Sequence, residues 1–556
     1  MTLQDTGATV EAPSADRRRV SGRRSLDVAY YFTLAGTSML ASALVPGEIG
    51  PTLLACLVVW GCLSLVLRPR LRTAGNGVMV AVTAVLLVRN YSGLGLEARG
   101  WALVTLLVLA TPFILTPLPQ SRGFPFLHIW CLFEGLYVYV SSLLSAPLAI
   151  HAYLYTPEVR TTGYRVLAVF TAVLVGGGVA ALRALGNRSV VHPGAAEANP
   201  LPMKAIPRAY ALAGAGFLAV GLSEALGIAE SLGQISQVFR AVGFGGGLVL
   251  AMLWMDGRLG LGHKLALVSA ASLLVLSGLG NGALYLSAIP GLLVFALWMS
   301  HRRHVPWIGL FMALVALILL NVGKGEFRQA AWEPGRTDSR TALGVDWIDR
   351  TVSSLSSSSD VGISNSANRF ANSDLLGYTA TWAPDRYPYF GYDVYTDLST
   401  LVIPRVLLPD KGSFNISNEF GRKYELIAPS DYATAVNTPL HVEAYLAGGM
   451  PAVVMVALFS GVFMAWLGRL LRDRSPATII TGALVATQIM ATVESGILGF
   501  ALVLPFIVVL RPVMRWACRE QGGRKAVAPP MPRRRLRPGL RSPTSRAHEL
   551  PVPHVR

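Results

Sequence analysis

Val305-Pro-Trp-Ile-Gly-Leu-Phe-Met-Ala-Leu-Val-Ala-Leu-Ile-Leu-Leu-Asn321 contains no charged residue and passes directly into Val322-Gly-Lys-Gly-Glu-Phe-Arg328. An uncharged run of this kind has roughly the 17–20 residues that a helix needs to cross the hydrocarbon core of a bilayer. Its abrupt polar end marks where the chain leaves the membrane. The same pattern recurs along the 556 residues, at 28–45, 51–67, 76–90, 101–118, 124–150, 164–184, 207–229, 239–255, 263–279, 283–300, 305–321, 449–468, 476–492 and 494–510. These segments predict an all-α, polytopic membrane protein of about fourteen transmembrane helices. With 53% hydrophobic and 14% charged residues the chain is far from a soluble composition, in which charge approaches a quarter of the residues.

Charge placement sets the sidedness. With a cytoplasmic N-terminus, the inside connections hold Arg68, Arg70 and Arg72, then Arg122, Arg183 with Arg188 and Lys204, Arg258 with Lys264, His301-Arg-Arg-His304, and Arg469 with Arg472 and Arg474. The outside ones hold Glu48, Glu230 and Glu494, with a few basic residues at Arg89, Arg99 and Arg160. This is the positive-inside distribution. It predicts a basic arm (1–27), eleven spans (28–321), a large extracytoplasmic loop carrying short helices (322–448), three further spans (449–510) and a basic, disordered tail (511–556). The expected location is the bacterial cytoplasmic (inner) membrane, with both termini cytoplasmic. Ala41-Ser-Ala43 is a poor cleavage site, so the first apolar segment reads as an uncleaved helix.

The net charge of +17 resides largely in the tail, where twelve Arg or Lys face Glu520 and Glu549. Juxtamembrane clusters of this kind meet anionic lipid. No aromatic-basic interleaving accompanies them, so nucleic acid is not an expected partner. Cys56, Cys62, Cys131 and Cys518 form no disulfide framework or CxxC pattern. No His/Cys/carboxylate cluster with ligand spacing points to a metal, and no cofactor is expected.

Aqueous chemistry is therefore sought in the loop. From Lys324 to Glu443 it carries eleven Arg or Lys and fifteen Asp or Glu, so anion binding there must come from a few placed cations. Lys324 and Arg328 leave a span at fixed height. Arg405 sits in the apolar run Leu401-Val-Ile-Pro-Arg-Val-Leu-Leu-Pro-Asp-Lys411, where a guanidinium needs an anion, either a phosphate or a carboxylate such as Asp410. Lys411 follows. His441-Val-Glu443 opens the helix after the loop and offers a base or a phosphate donor. Trp347, Ile348 and Val352 suit a short helix lying on the membrane surface. Asn365–Leu376 and Ser417–Ile427 have helical spacing. Tyr387, Tyr389, Tyr392 and Tyr395 fit either sugar stacking or an interfacial belt. Glu134, Glu224 and Arg240 are ionisable groups in or beside spans and mark a cavity or buried pairs. Ser277-Gly-Leu-Gly-Asn-Gly282 gives a small-residue turn at the outer face.

Ile403-Pro-Arg-Val-Leu-Leu-Pro-Asp-Lys411, Phe420-Gly-Arg-Lys-Tyr424, Asn437-Thr-Pro439 and Glu443-Ala-Tyr-Leu-Ala-Gly-Gly449 together resemble the Wzy-type O-antigen and exopolysaccharide repeat-unit polymerases. The resemblance covers about fifty residues and the arrangement of many spans with one late external loop. The 277–283 turn is similar to a Ser-Arg-Gly-Ala turn of the related O-antigen ligases, with Asn281 in place of arginine; the spaced Arg…Gly loop motif of some polymerases is absent. The resemblance implies transfer of a glycan from an undecaprenyl diphosphate carrier to a sugar hydroxyl of a second lipid-linked unit, without a metal. It implies Arg405, Lys411, Lys324, Arg328 and Asn281 at the diphosphate, and His441, Glu443 or Asp410 as base. Arg369, Arg386, Tyr389 and Tyr392 are the expected sugar contacts. Chain-length regulators and flippases are the expected protein partners. A ligase shares this donor, and a flippase shares the span count. Enzymes using lipid monophosphate sugars show an acidic pair in the first external loop, where Pro46-Gly-Glu-Ile-Gly50 has one carboxylate.

Overall fold

A computed structural model describes residues 96–118, 123–143, 156–186, 201–228, 232, 234–282, 284–324, 327–328, 339–356, 372–392, 395, 408, 416–432 and 434–519. The basic arm (1–27), the spans expected at 28–45, 51–67 and 76–90, and residues 520–556 of the tail lie outside these residues, while 511–518, expected to be disordered tail, continue the last helix to Cys518 because Val513, Met514 and Ala517 extend its apolar face. Among the described residues the chain is all-helical. In order the helices are α1 (Leu96–Leu115), α2 (Phe126–Leu143), α3 (Pro157–Gly186), α4 (Ala205–Ala225), α5 (Gln234–Met255), α6 (Leu261–Gly280), α7 (Leu284–Arg302), α8 (Trp307–Val322), α9 (Arg340–Ser356), α10 (Asn372–Trp382), α11 (Ile416–Lys423), α12 (Leu440–Leu470), α13 (Pro476–Ser495), α14 (Leu498–Ala501) and α15 (Val503–Cys518). Nine helices among the described residues are long and apolar enough to cross a membrane, with α14 and α15 counted as one; α2 contributes a shorter apolar stretch. Such helices satisfy every backbone group internally, as a hydrocarbon environment requires.

The long helices α3 and α12 form the spine of the bundle. They approach closely because Gly178 and Gly461 face each other, and a Cβ on Gly461 would collide with the Leu174 carbonyl and the Gly178 amide. Small residues at a helix crossing let dispersion contacts build up without side-chain loss. Gly461→Val is expected to lower the detergent-solubilised unfolding temperature by several degrees through overpacking worth about 1–3 kcal/mol; an unchanged melting curve would show the crossing to be elsewhere.

One end of the bundle is cross-linked by arginines. Arg469 donates to the Leu185 carbonyl at 2.7 Å, Arg303 to Gly123 at 2.9 Å, and Arg208 to Trp516 at 3.2 Å. Arg258 and Arg302 donate to the carbonyls of Leu201 and Met255. Several of these acceptors are the orphan carbonyls of helix C-termini, at the negative end of the dipole. Burial, with Arg474 adding to it, brings the Arg303 guanidinium down to about 10, which leaves it charged at neutral pH. The basic residues that set the predicted sidedness thus also hold neighbouring helices together.

The opposite end carries α9, α10 and α11. Helix α9 contains Trp347, Ile348 and Val352, as expected, but Trp347 is fully buried: it stacks on Phe327 at 4.7 Å and donates to the Leu320 carbonyl at 2.7 Å. Val352 on the same helix is 60% exposed. The helix expected over Asn365–Leu376 occupies Asn372–Trp382, and that over Ser417–Ile427 occupies Ile416–Lys423. The span expected to start at residue 449 begins at Leu440; residues 448 and 449 are a break within it.

Candidate functional site

The first eight residues of α12, Leu440 to Ala447, are all buried. Residues two apart on a helix point about 200° from each other, so His441 and Glu443 reach opposite neighbours. His441 Nδ1 lies 3.7 Å from Glu134 Oε1 on α2, both side chains being 1% exposed. The Phe170 ring stands edge-on to the imidazole at 5.9 Å, and the backbone of Asn372 covers it. Glu443 Oε2 accepts a hydrogen bond from the Ile497 amide at 3.0 Å, in the turn between α13 and α14. Gly496 forms that turn with φ 64° and ψ −151°. A Cβ there would strike the Glu443 carboxyl and the Thr438 carbonyl. Nearby, Tyr137 on α2 donates to Glu494 at the end of α13.

Below these residues the helix breaks. Gly449 has φ 66° and ψ −149°, a conformation open essentially to glycine alone. Pro451 has no amide hydrogen to return to Ala447. The Leu446 carbonyl instead accepts from the Phe390 amide at 2.8 Å, which ties the segment after α10 to the break. Tyr389 and Tyr392 bring their hydroxyls against Gly449 and Gly448. Discontinuous helices of this kind occur where a membrane protein lines a site with polar backbone.

Helix α10 is seated on α3 by interlocked glycines, Gly377 against Val159 and Gly163 against Ser373. Arg160 and Asp374 form a buried ion pair at 3.6 Å. Ser141, Tyr164 and Ser373 hydroxyls extend the contact, with Ser141–Tyr164 at 2.9 Å and Ser141–Ser373 at 3.4 Å. Asn372 donates to the Val493 carbonyl at 3.1 Å. Burial raises Asp374 from 3.8 to about 7, with Arg160 opposing the shift. Between these values the folded state holds a proton that the unfolded chain releases. The stability from this group is therefore complete below about 4 and falls as pH rises through about 7. Amide hydrogen exchange of α10, corrected for intrinsic rates, is expected to accelerate about tenfold or more from pH 5 to pH 8, and Asp374→Asn should flatten that dependence.

Aromatic rings and cations crowd around this seat. Tyr424 contacts Tyr387 at 4.6 Å and Phe420 at 4.9 Å, and Tyr389 meets Tyr445 at 6.1 Å. Lys423 lies over Phe390 at 4.0 Å. Arg386 pairs with Glu425 at 2.7 Å and covers the Tyr387 ring at 5.1 Å. Tyr392 is 51% exposed. The hydroxyls of Tyr387, Tyr395 and Tyr424 are buried without a hydrogen-bond partner among the described residues.

The other sequence-derived candidates lie at the α6–α9 corner or outside the described residues. Asn281 donates to the Ser277 carbonyl at 2.9 Å and closes α6, while Arg328 donates to the Gly282 carbonyl at 3.2 Å. Lys324 follows the end of α8. Glu224 pairs with Arg340 at 3.2 Å and reaches Arg240 at 4.0 Å. Arg405, Lys411, Asp410 and Arg369 lie outside the described residues. Of the two roles that the sequence allows Glu134, a cavity or a buried pair, the structure shows the pair, with His441 at 3.7 Å. Asp374 and its bond to Arg160 carried no signal in the sequence, because neither residue sits in an apolar run with the other nearby.

A family model described as a domain of unknown function (DUF8712) matches residues 229–473. That stretch contains every site residue singled out from the sequence, but not Glu134 or Arg160. No curated protein matches the chain, and no solved structure matches it.

Proposed function

We propose that this chain polymerises undecaprenyl-diphosphate-linked oligosaccharide repeat units for a surface polysaccharide or exopolysaccharide, as a Wzy-type glycosyltransferase. In this reading about fourteen spans lie in a bacterial inner membrane, both termini are cytoplasmic, and α9, α10 and α11 belong to one large extracytoplasmic loop. One observation carries it: the start of α12 buries His441 and Glu443 under loop helices and tyrosines, directly above a break in the same helix. Groups able to take up a proton, rings able to stack on a sugar and polar backbone at one end of a membrane bundle support this reading.

A hydroxyl of the acceptor unit attacks the anomeric carbon of the donor glycan. The carbon–oxygen bond to the carrier breaks, the lipid diphosphate departs with the electron pair, and the hydroxyl proton passes to a base. Fixed cations stabilise the leaving diphosphate in a site closed to water; Arg405, Lys411, Lys324 and Arg328 are assigned that part. His441 and Glu443 are fully buried, so the reading requires α10 and its neighbours to lift during turnover.

The test is purified protein in vesicles with a synthetic lipid-diphosphate repeat unit. Longer glycans on the same carrier support the reading. Transfer to a different acceptor makes the chain a ligase, and movement across the bilayer without a new bond makes it a flippase. Within that assay, Arg405→Ala is expected to abolish long products while the protein still inserts; an unchanged ladder removes Arg405 from the diphosphate site.

A further inference from the structure

We infer that Glu134 on α2 is the positioning residue for His441, and that the two form a carboxylate–imidazole dyad whose ring is uncovered when α10 lifts. The inference rests on the polymerase reading for its chemistry, but the dyad itself rests on geometry. Glu134 Oε1 faces Nδ1 at 3.7 Å, both residues are sealed in the bundle, and Glu134 Oε2 has no hydrogen-bond partner among the described residues. An unpaired carboxylate in an apolar bundle is costly, so such a group is retained opposite something it serves. At 3.7 Å the two stand at ion-pair rather than hydrogen-bond distance; once closed to hydrogen-bond distance, the carboxylate sets the tautomer and orientation of the imidazole and the other nitrogen takes the proton.

Glu443 is the weaker candidate for base. One of its oxygens is held by the Ile497 amide, and the turn at Gly496 is shaped around it. Glu134 on α2 and Phe170 on α3 flank the His441 ring, and the backbone of Asn372, the first residue of α10, also lies against it. The proton released by the attacking hydroxyl would pass to the free ring nitrogen, with Glu134 balancing the imidazolium. The titratable or charged groups on the elements packed around His441 are Glu134, Cys131 and Tyr137 on α2, Arg160 and Tyr164 on α3, Asp374 on α10, Glu494 on α13, and Glu443 on α12 itself.

The experiment compares wild type with Glu134→Gln and Glu134→Asp in two measurements. In the vesicle assay, Glu134→Gln is expected to lower turnover about 10²-fold and to move a limb of the pH–rate profile by about 1 pH unit or more, with Glu134→Asp recovering part of both. In parallel, the ring signal of His441 in histidine-labelled protein, assigned by its loss in His441→Gln, should titrate differently in Glu134→Gln. An unchanged His441 titration, or a Glu134→Gln enzyme that is slower with an unmoved pH profile, overturns the dyad. A wild type that forms no polymer ends the polymerase reading, and the titration still decides whether the two groups are coupled. Should Glu134→Gln fail to fold, Glu134→Asp keeps the charge at a longer distance and is judged by the same titration.

Discussion

Replacing Gly496 with alanine is expected to cost several kcal/mol of stability and, on the proposed polymerase reading, to reduce polymer formation at least about a hundredfold. Two separate effects add. The backbone at φ 64°, ψ −151° is one that an L-residue enters at about 1–3 kcal/mol of strain. The new methyl would also occupy the space of the Glu443 carboxyl, pushing it off the Ile497 amide it now binds at 3.0 Å. A buried carboxylate left without its donor loses a further 1–3 kcal/mol or so. Thermal unfolding of the solubilised protein reads both effects together, and the vesicle assay reads whether the disturbed start of α12 still presents His441. Glu443→Gln is the discriminating companion. Its amide oxygen can still accept from Ile497, so a purely structural Glu443 predicts activity within about threefold of wild type, a free-energy change of under 1 kcal/mol. A loss equal to that of Gly496→Ala would instead make Glu443 the base and displace His441.

The bundle was legible because hydrophobic length is a local signal. The expected spans that fall on described residues are largely helical, the last of them interrupted by the turn at Gly496 and again at Leu502, and Arg258, Arg302, Arg303 and Arg469, expected on one face, donate to carbonyls of neighbouring segments at one end. The span expected from residue 449 is the second half of α12, after the break at Gly448 and Gly449, whereas its buried first half, Leu440 to Ala447, is not legible as a helix, for a physical reason. Leu440 to Ala447 mixes His441 and Glu443 into an apolar run that ends at the Gly448-Gly449-Met-Pro451 break. Polar residues there are buried by tertiary partners, Glu134 and the Ile497 amide, which no window of sequence contains. The same limit applies to the clamp on α10. Gly163 and Gly377, or Arg160 and Asp374, become a pair only when the loop folds back onto α3. Trp347 illustrates the converse: it shares a helix with Ile348 and Val352, as expected, but only those two are exposed, and its own ring is buried against Phe327.

Locking α10 in place should stop turnover without disturbing the fold. Ser141 on α2 and Ser373 on α10 bring their hydroxyl oxygens to 3.4 Å of each other. Cysteines at both positions would put their sulfur atoms where the hydroxyls now approach, and a rotamer change brings them to bonding distance where the Cβ atoms stand about 3.5–4.5 Å apart. Of the cysteines in the described residues, Cys131 is buried on α2 and Cys518 ends α15, so neither competes for this bond. Because Asn372 covers the His441 ring, a covalent tie one residue away keeps it covered. The oxidised Ser141→Cys/Ser373→Cys protein is expected to lose polymer formation by about 10²-fold or more, to unfold at a temperature no lower than wild type, and to recover on reduction. Each single cysteine should remain active in both redox states. Full activity in the oxidised double variant would mean that α10 need not move, and that acceptor reaches the base by a path through the bundle instead. Partial activity with unchanged affinity for the lipid-linked unit would place the motion after binding, since a lid that admits substrate governs KM and a lid that completes the site governs kcat. The lock therefore separates the two roles that a loop helix seated on glycines and one buried ion pair can serve.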